Sequence, residues 1–180
     1  MELNQDYFSK NYFDVFGIAV SFEVDVADLA SRYREVQKQM HPDKFAHATS
    51  REQRLAVQFA ALVNTAFETL KSPVKRAYYL LELRGLVADG DTTTSDTAFL
   101  MQQIELREAL SEIRDSSDPE QALDALALEV KQLLNGQAQS FALQLAGDKL
   151  PEAQAVAHRM QFLTKLSVEI EQLEAELFDD

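Results

Sequence analysis

Apolar residues on both sides of Pro42 recur at spacings of three and four, and this pattern constrains the fold more than any other feature of the chain. Before the proline the repeat consists of Val26, Leu29, Ala30, Tyr33, Val36 and Met40; after it, of Leu55, Phe59, Leu62, Ala66, Phe67 and Leu70. Such spacing predicts two amphipathic helices, with Asp25 and Ser50 as their N-terminal caps. Because a proline disfavours helical geometry in the preceding residue, the first helix should end near Met40 or His41. The result is a predicted helical hairpin whose short loop carries His41-Pro42-Asp43.

Helix signals continue along the rest of the chain. A short helix is predicted between Asn11 and Gly17, and a longer one from Pro73 to Arg84, with Gly85 as its stop. Three more are predicted: 97 to about 114, 119 to about 145 with a candidate break at Asn135-Gly136, and 151 onward. No segment resembles a strand, so the predicted fold is all-α. It comprises a helical hairpin with accessory helices (1–84), a linker (85–95) and a three-helix bundle (96–180).

Composition excludes several classes of protein. The chain has no cysteine, which rules out disulfides, thiolate metal sites and a cysteine nucleophile. Residues 1–10 include Glu2 and Asp6 and no long apolar run, so no signal peptide is predicted, and the longest uncharged stretch is too short and too rich in Gln to span a membrane. We therefore expect a cytoplasmic protein.

The negative charge is confined to one part of the chain. Residues 1–80 carry 10 basic and 10 acidic side chains, whereas residues 81–180 carry 7 and 20, which accounts for the whole net charge of −13. An acidic half disfavours nucleic acid and anionic membranes as partners and favours a basic protein surface. An acidic surface that serves only solubility is the alternative.

The His41-Pro42-Asp43 loop is the first candidate site. No plausible nucleophile lies near it, so catalysis by a His–Asp pair is not expected, and a metal site with His47 would need three side chains to converge across the proline. A contact role fits better, because binding residues are often presented on loops held by a rigid scaffold. The preceding helix places Arg34 and Lys38 on one flank and Arg32 on the other, which ordinary solvated charge would also explain.

The residues around this loop resemble a J-domain, the module that activates ATP hydrolysis by DnaK-type chaperones. Tyr33 lies eight positions before the histidine and Lys44 follows the aspartate, and two further runs match the end of that domain, namely 64–70 (NTAFETL) and 72–79 (SPVKRAYY). The resemblance implies that the chaperone binds His41, Pro42 and Asp43 together with the basic residues Arg32, Arg34 and Lys38. Glu35 and Ala30 stand where general-purpose J-domains are often basic, which favours a dedicated chaperone partner.

Residues 96–113 form a second candidate site. At about 100° per residue, Phe99, Leu106, Leu110 and Ile113 share one stripe, which is the predicted core side. A second face is apolar at one end and acidic at the other; it contains Leu100, Met101, Ile104, Glu105, Glu108 and Glu112. Large apolar residues on an outer face are typical of a binding patch, although burial against the last helix is an alternative.

The segment 96–110, and the order of J-domain, linker and acidic bundle, resemble the HscB co-chaperones of bacterial iron–sulfur cluster assembly. In that family the J-domain stimulates a dedicated DnaK-type ATPase, HscA, and the bundle holds the cluster scaffold IscU. The resemblance implies a scaffold site of Leu100, Met101, Ile104 and Phe162, bordered by Glu105, Glu108 and Glu112. Ile104 and Gln102 are mild departures from the family pattern, and the N-terminal cysteine pairs of some eukaryotic relatives are absent.

The resulting hypothesis is a non-enzymatic co-chaperone that delivers IscU to HscA and stimulates its ATPase. It needs no cofactor or metal of its own, and we expect a monomer with at most weak self-association. A generalist J-protein that serves DnaK is the alternative, but a Gly/Phe-rich linker and a Cys-rich or β-rich client domain are missing. An enzyme with a helical carboxylate site would need motifs such as Glu-x-x-His on facing helices, and the chain has none.

Overall fold

The computed structural model describes residues 9–39, 49–86 and 96–178. These ranges contain seven α-helices and no strand, which confirms the all-α prediction. The helices are α1 (Tyr12–Phe16), α2 (Val26–Gln39), α3 (Ser50–Lys71), α4 (Pro73–Leu83), α5 (Thr97–Glu112), α6 (Pro119–Ala146) and α7 (Leu150–Phe178), with a 3-10 turn at Ile113–Asp115. Contacts divide the chain into two compact units, Met1–Leu80 and Leu81–Asp180.

Most helix ends follow from local side-chain chemistry. Asn11 and Asp118 accept hydrogen bonds from backbone N–H groups in the first turns of α1 and α6, and Asp25 does the same for α2. Gly17 and Gly85 adopt positive φ values of 62° and 82°, the left-handed geometry in which a glycine ends a helix without steric cost.

Two local predictions were wrong. Thr49, rather than Ser50, caps α3: its hydroxyl accepts a hydrogen bond from Glu52 N–H, and the Glu52 carboxylate accepts one from Thr49 N–H. This reciprocal pair satisfies two backbone donors at once, which a cap at Ser50 could not do with the same glutamate. The candidate break at Asn135-Gly136 does not occur, because α6 is continuous from Pro119 to Ala146.

The N-terminal unit has a core of aromatic and aliphatic side chains from α1, α2, α3 and α4. Phe13, Leu29, Phe59 and Leu70 are among its fully buried residues. Val26 was predicted to lie on the apolar stripe of α2 but is 45% exposed, since it begins the helix, before the part of α2 that packs on α3. The guanidinium of Arg76 is buried, donates a hydrogen bond to the carbonyl of Leu70 at the end of α3, and lies over the Phe22 ring.

The C-terminal unit is a bundle of α5, α6 and α7, in which the two long helices α6 and α7 pack along much of their length. Its aliphatic core consists of Leu106, Ile113, Leu123, Leu126, Val130, Leu163, Leu166, Ile170 and Leu173. Leu106 and Ile113 belong to the stripe predicted as the core side of α5, as does the buried Phe99. The opposite side of α5 is therefore left to face outward.

Candidate partner-binding surfaces

The hairpin of α2 and α3 is locked by one tyrosine. The Tyr33 ring stacks on Phe67 with centroids 4.1 Å apart, and its hydroxyl donates a hydrogen bond of 2.9 Å to the side-chain oxygen of Asn64. Gln37, one turn further along α2, donates to the same hydroxyl. These contacts hold the middle of α2 against the last two turns of α3, so the two helices that flank residues 40–48 are packed on each other.

His41, Pro42 and Asp43 lie in the segment 40–48, outside the described residues, so their assignment stays a prediction. Arg34 and Lys38 are exposed on α2, one turn apart. Arg32 has a structural contact as well: its guanidinium pairs with Asp28 at 2.7 Å and donates to the carbonyls of Phe16 and Gly17, each at 3.2 Å. Those contacts tie α2 to the end of α1 and leave Arg34 and Lys38 as the basic residues on the outer flank.

The second candidate surface, here called the α5 face, consists of Leu100, Met101, Ile104, Glu105, Glu108 and Glu112. Its three apolar members are 45%, 59% and 57% exposed, respectively. Burial of these side chains against the last helix, the alternative left open by the sequence, is therefore excluded. The three glutamates are exposed as well. Such an apolar patch with an acidic border is typical of a protein-binding site.

Ion pairs set the register between α5 and α7. Arg107 contacts Glu169 through two hydrogen bonds of 3.1 and 3.4 Å, Arg114 contacts Glu176, and Asp96 contacts Arg159. All three pairs join residues 62 or 63 positions apart, so α5 and α7 run parallel with a constant offset. The same offset of 62 residues aligns Phe162 of α7 with Leu100 in the first turn of α5.

Phe162 is held by α5 from two directions. Its ring meets Phe99 edge-on at 5.8 Å, with an interplanar angle of 89°, and Arg107 lies over it at 5.6 Å. The ring is partly buried against the aliphatic core. At the start of α5, the pKa of Asp96 is lowered, because its carboxylate accepts a hydrogen bond from Phe99 N–H and, secondarily, lies beside the positive Arg159. Because these contacts already restrain the Phe162 ring, covering it would cost little further conformational entropy.

The acidic end of the α5 face opens into a cavity of about 470 Å³ at the junction of α5 and α6. Glu112 and Asp115 line it together with the apolar side chains of Ile113 and Leu126. The α5 face thus changes along its length from exposed aliphatic groups to carboxylates beside a cavity, a gradient that suits a partner with both apolar and basic side chains.

Sequence reasoning missed the three arginines that position this face. Arg107 and Arg114 pair with Glu169 and Glu176 of α7, and Arg159 of α7 pairs with Asp96 at the start of α5. None of these arginines pairs with a glutamate of the α5 face. A signal was present, because Arg107 and Arg114 are seven residues apart, as are Glu169 and Glu176. Equal spacing becomes informative only once two helices are known to be parallel neighbours.

Two known protein families match the two parts of the chain. The DnaJ domain family matches residues 11–79, and the family described as HSCB C-terminal oligomerisation domain matches residues 95–171. The chain is 45% identical over 174 residues to the co-chaperone protein HscB homolog of Shewanella baltica, covering 94% of this chain and 99% of that protein. The HscB homolog of Aeromonas hydrophila is 44% identical over 170 residues, with the same coverage of both chains.

The chain belongs to the HscB co-chaperone family. Solved HscB structures have the same fold: chaperone HscB from Vibrio cholerae has a TM-score of 0.86 and 39% identity, covering 94% of this chain and all of that one. Human co-chaperone HscB has a TM-score of 0.85 and 27% identity, covering 94% of this chain and 84% of that one. The predicted J-domain and HscB resemblances are both confirmed, and with them a co-chaperone whose partner is a chaperone of the DnaK type. None of the helices in the described part combines the length and apolar character that a bilayer crossing needs.

Proposed function

We propose that this HscB co-chaperone binds the iron–sulfur scaffold IscU through its bundle, delivers it to the DnaK-type chaperone HscA, and stimulates ATP hydrolysis by HscA through His41-Pro42-Asp43. The observation that carries the scaffold half of the proposal is the exposure of Leu100, Met101 and Ile104 beside the restrained ring of Phe162. Large apolar groups placed together at a surface are costly to leave in water, and a partner that covers them gains their burial energy.

The packing of the α2–α3 hairpin supports the proposal that its loop binds the chaperone. The stacked Tyr33 and Phe67 and the capped start of α3 at Thr49 hold the two helices that flank residues 40–48. Such a stem limits the entropy that the loop must lose on binding. Arg34 and Lys38 on the exposed flank of α2 supply positive charge for an acidic surface of the chaperone, with Arg32 contributing less because its guanidinium already binds α1.

The acidic members of the α5 face, Glu105, Glu108 and Glu112, favour a scaffold with basic side chains beside its apolar contact. Their charge would act mainly on the association rate and on its salt dependence. One molecule that engages both partners raises the effective concentration of scaffold at the chaperone, which is the physical basis of delivery. The nucleotide belongs to the chaperone, so no cofactor or metal is assigned to this chain, and the proposed compartment is the bacterial cytoplasm.

The decisive experiment is the steady-state ATPase rate of HscA with this protein, measured with and without IscU. We expect stimulation by the co-chaperone, and more than additive stimulation when IscU is present. His41→Gln should abolish the stimulation while circular dichroism and the melting temperature stay unchanged. His47→Gln, in the same segment, is the matched control and should retain it. Full stimulation by His41→Gln would overturn the loop assignment.

The scaffold site is tested by direct binding of IscU, for example by calorimetry. Replacing Leu100, Met101 and Phe162 together by alanine should weaken binding at least about 100-fold, because central apolar contacts each contribute roughly 1–2 kcal/mol or more. Val168→Ala/Phe178→Ala removes comparably exposed apolar groups of α7 outside the α5 face and should leave affinity unchanged. ATPase stimulation that is independent of IscU would instead favour a generalist J-protein.

A further inference from the structure

Part of the α5 face lies at the start of a helix, where a helix is least stable. Leu100 and Met101 belong to the first one and a half turns of α5. Backbone N–H groups in the first turn have no acceptor within the helix, and helix ends open more readily than helix interiors. A partner that contacts both side chains binds more tightly when this turn is already ordered before the encounter.

Asp96 holds this turn through both its side chain and its backbone. Its Oδ1 accepts a hydrogen bond of 3.1 Å from Phe99 N–H, and its carbonyl oxygen accepts one of 3.0 Å from Leu100 N–H. The second carboxylate oxygen, Oδ2, accepts a hydrogen bond from the guanidinium of Arg159 in α7. One aspartate therefore caps α5 and attaches its first turn to a neighbouring helix.

Arg159 also contacts the ring that supports Phe162. Its guanidinium lies over the Phe99 ring, 5.6 Å from the centroid, and Phe99 meets the Phe162 ring edge-on at 5.8 Å. Phe99 is buried, whereas Phe162 is only partly buried. A guanidinium is planar and always charged, so it can pair with a carboxylate and lie over a ring at the same time. Arg159 thus connects the cap of α5 with the aromatic pair.

The ion pair of Arg159 is more buried than others between α5 and α7. The side chains of Arg159 and Asp96 are 30% and 33% exposed, compared with 53% and 62% for Arg114 and Glu176. Within the described residues, the buried Nε of Arg159 has no hydrogen-bond partner. A buried donor without an acceptor costs free energy, so the stability of the bundle alone is a weak reason for an arginine at this position.

We propose that Arg159 is a positioning residue for scaffold binding. Through the Asp96 cap it orders the first turn of α5, and through Phe99 it holds the ring of Phe162. Arg159 does not need to touch the partner, because both effects act before binding. The inference rests on the proposed binding of IscU to the α5 face, and it makes that binding depend on a second residue of α7 besides Phe162.

The sign of the effect on affinity separates positioning from simple electrostatics. The carboxylates of the α5 face favour a basic partner, which a positive side chain nearby repels. If Arg159 acts only through its charge, removing that charge should strengthen binding. If Arg159 orders the site, removing it should weaken binding, because ordering a loosened side chain on association costs affinity.

Calorimetry with IscU tests the proposal in the full-length chain. Arg159→Gln should weaken binding about tenfold, the factor expected when one or two side chains must be ordered on binding. Arg159→Lys keeps the charge, but its ammonium cannot replace a planar group that both pairs with Asp96 and lies over Phe99, so we expect binding about threefold weaker than wild type. Arg84→Gln breaks an exposed ion pair with Asp148, outside α5 and α7, and is the matched control; its affinity should equal that of the wild type.

A double-mutant cycle with Phe162 gives a readout that a general loss of stability would not produce. In a Phe162→Ala background, Arg159→Gln should weaken binding only about threefold, because the ring that Arg159 helps to hold is absent. Equal losses in the two backgrounds would overturn the proposal, as would an unchanged or higher affinity of Arg159→Gln.

Hydrogen exchange of the free chain tests the ordering of α5 without any partner. The amides of residues 99–104 should exchange at least about fivefold faster in Arg159→Gln than in the wild type, whereas those in the middle of α6 should change much less. Unchanged exchange rates at 99–104 would refute the positioning role. If the wild-type chain fails to bind IscU, the scaffold assignment fails, and these exchange rates still decide whether Arg159 orders α5.

Discussion

The two units of this protein hold neighbouring helices together by different means. In the N-terminal unit, a few aromatic rings with directional hydrogen bonds join the helices: Tyr33 to Phe67 and Asn64, and Tyr12 to Tyr79, whose rings are 4.3 Å apart. Tyr79 also accepts a hydrogen bond of 2.9 Å from Tyr12 N–H. In the C-terminal unit, long helices share an aliphatic core, and ion pairs at the surface set the register.

The difference matches the partner-binding element that we propose for each unit. A short binding loop needs two helix ends held in position, and a small number of specific contacts does this. A binding face along a helix needs a straight, supported element, and many interchangeable aliphatic contacts provide that. Single substitutions at the specific contacts should therefore be costly in the N-terminal unit, whereas surface substitutions in the bundle should cost little.

Substitution of Tyr33 should cause the largest loss of stability. Tyr33→Ala removes the stacked ring and the hydrogen bond to Asn64, and we expect the free energy of unfolding of the N-terminal unit to fall by about 3 kcal/mol. Tyr33→Phe keeps the ring and should cost about 1 kcal/mol. Urea unfolding gives the values, and hydrogen exchange of residues 50–71 assigns them to this unit. Equal losses in the two variants would contradict the role of the stack.

Substitution of Arg76 should cause the second-largest loss of stability. It is only 5% exposed, and Arg76→Ala leaves the Leu70 carbonyl without its donor, at a cost of about 2 kcal/mol. Burial lowers the pKa of this guanidinium, and within the described residues its Nε has no hydrogen-bond partner. Arg76→Lys, which keeps one donor and the charge, should therefore recover more than half of the lost stability. Chemical denaturation of the three proteins in parallel decides this, and a lysine variant no better than alanine would refute the single-donor explanation.

Substitution of Arg107 tests whether surface contacts in the bundle contribute little to stability. Its ion pair with Glu169 is solvent-exposed, so Arg107→Ala should lower stability by only about 1 kcal/mol, including the lost contact with the Phe162 ring. A double-mutant cycle with Glu169→Ala should yield a coupling of about 0.5 kcal/mol that shrinks at high salt. A loss as large as that of Tyr33→Ala would remove the contrast between the two units.

Substitution of His158 should have the smallest effect on stability, and the size of that effect should depend on pH. Burial in α7 lowers the pKa of His158 below its ordinary value of 6.5. The unfolded chain then binds a proton more readily than the folded one, so stability is retained above pH 6.5 and falls as pH drops below it. The free energy of unfolding measured between about pH 5.5 and 7.5 should show a shallower slope in His158→Gln than in the wild type. An unchanged slope would exclude His158 as its source.

Helix ends were the most predictable part of the fold. Asp25 caps α2 as predicted, and Asn11, Asp96 and Asp118 cap the helices that were predicted to begin beside them, because a cap contacts a backbone group only two or three residues away. The predicted cap of α3, Ser50, was wrong by one residue, since Glu52 forms its reciprocal pair with Thr49.

The periodicity of α5 by itself determined which stripe of the helix is core, because a helical repeat defines the angle of every side chain about its own axis. Only the tertiary structure decided that Leu100, Met101 and Ile104 stay exposed and that Phe162 lies beside them. Those facts depend on the register between α5 and α7, which is set by contacts between residues 62 positions apart in the sequence, with α6 between them. Local sequence specifies each helix and its faces, whereas the packing of distant helices decides which faces remain available to a partner.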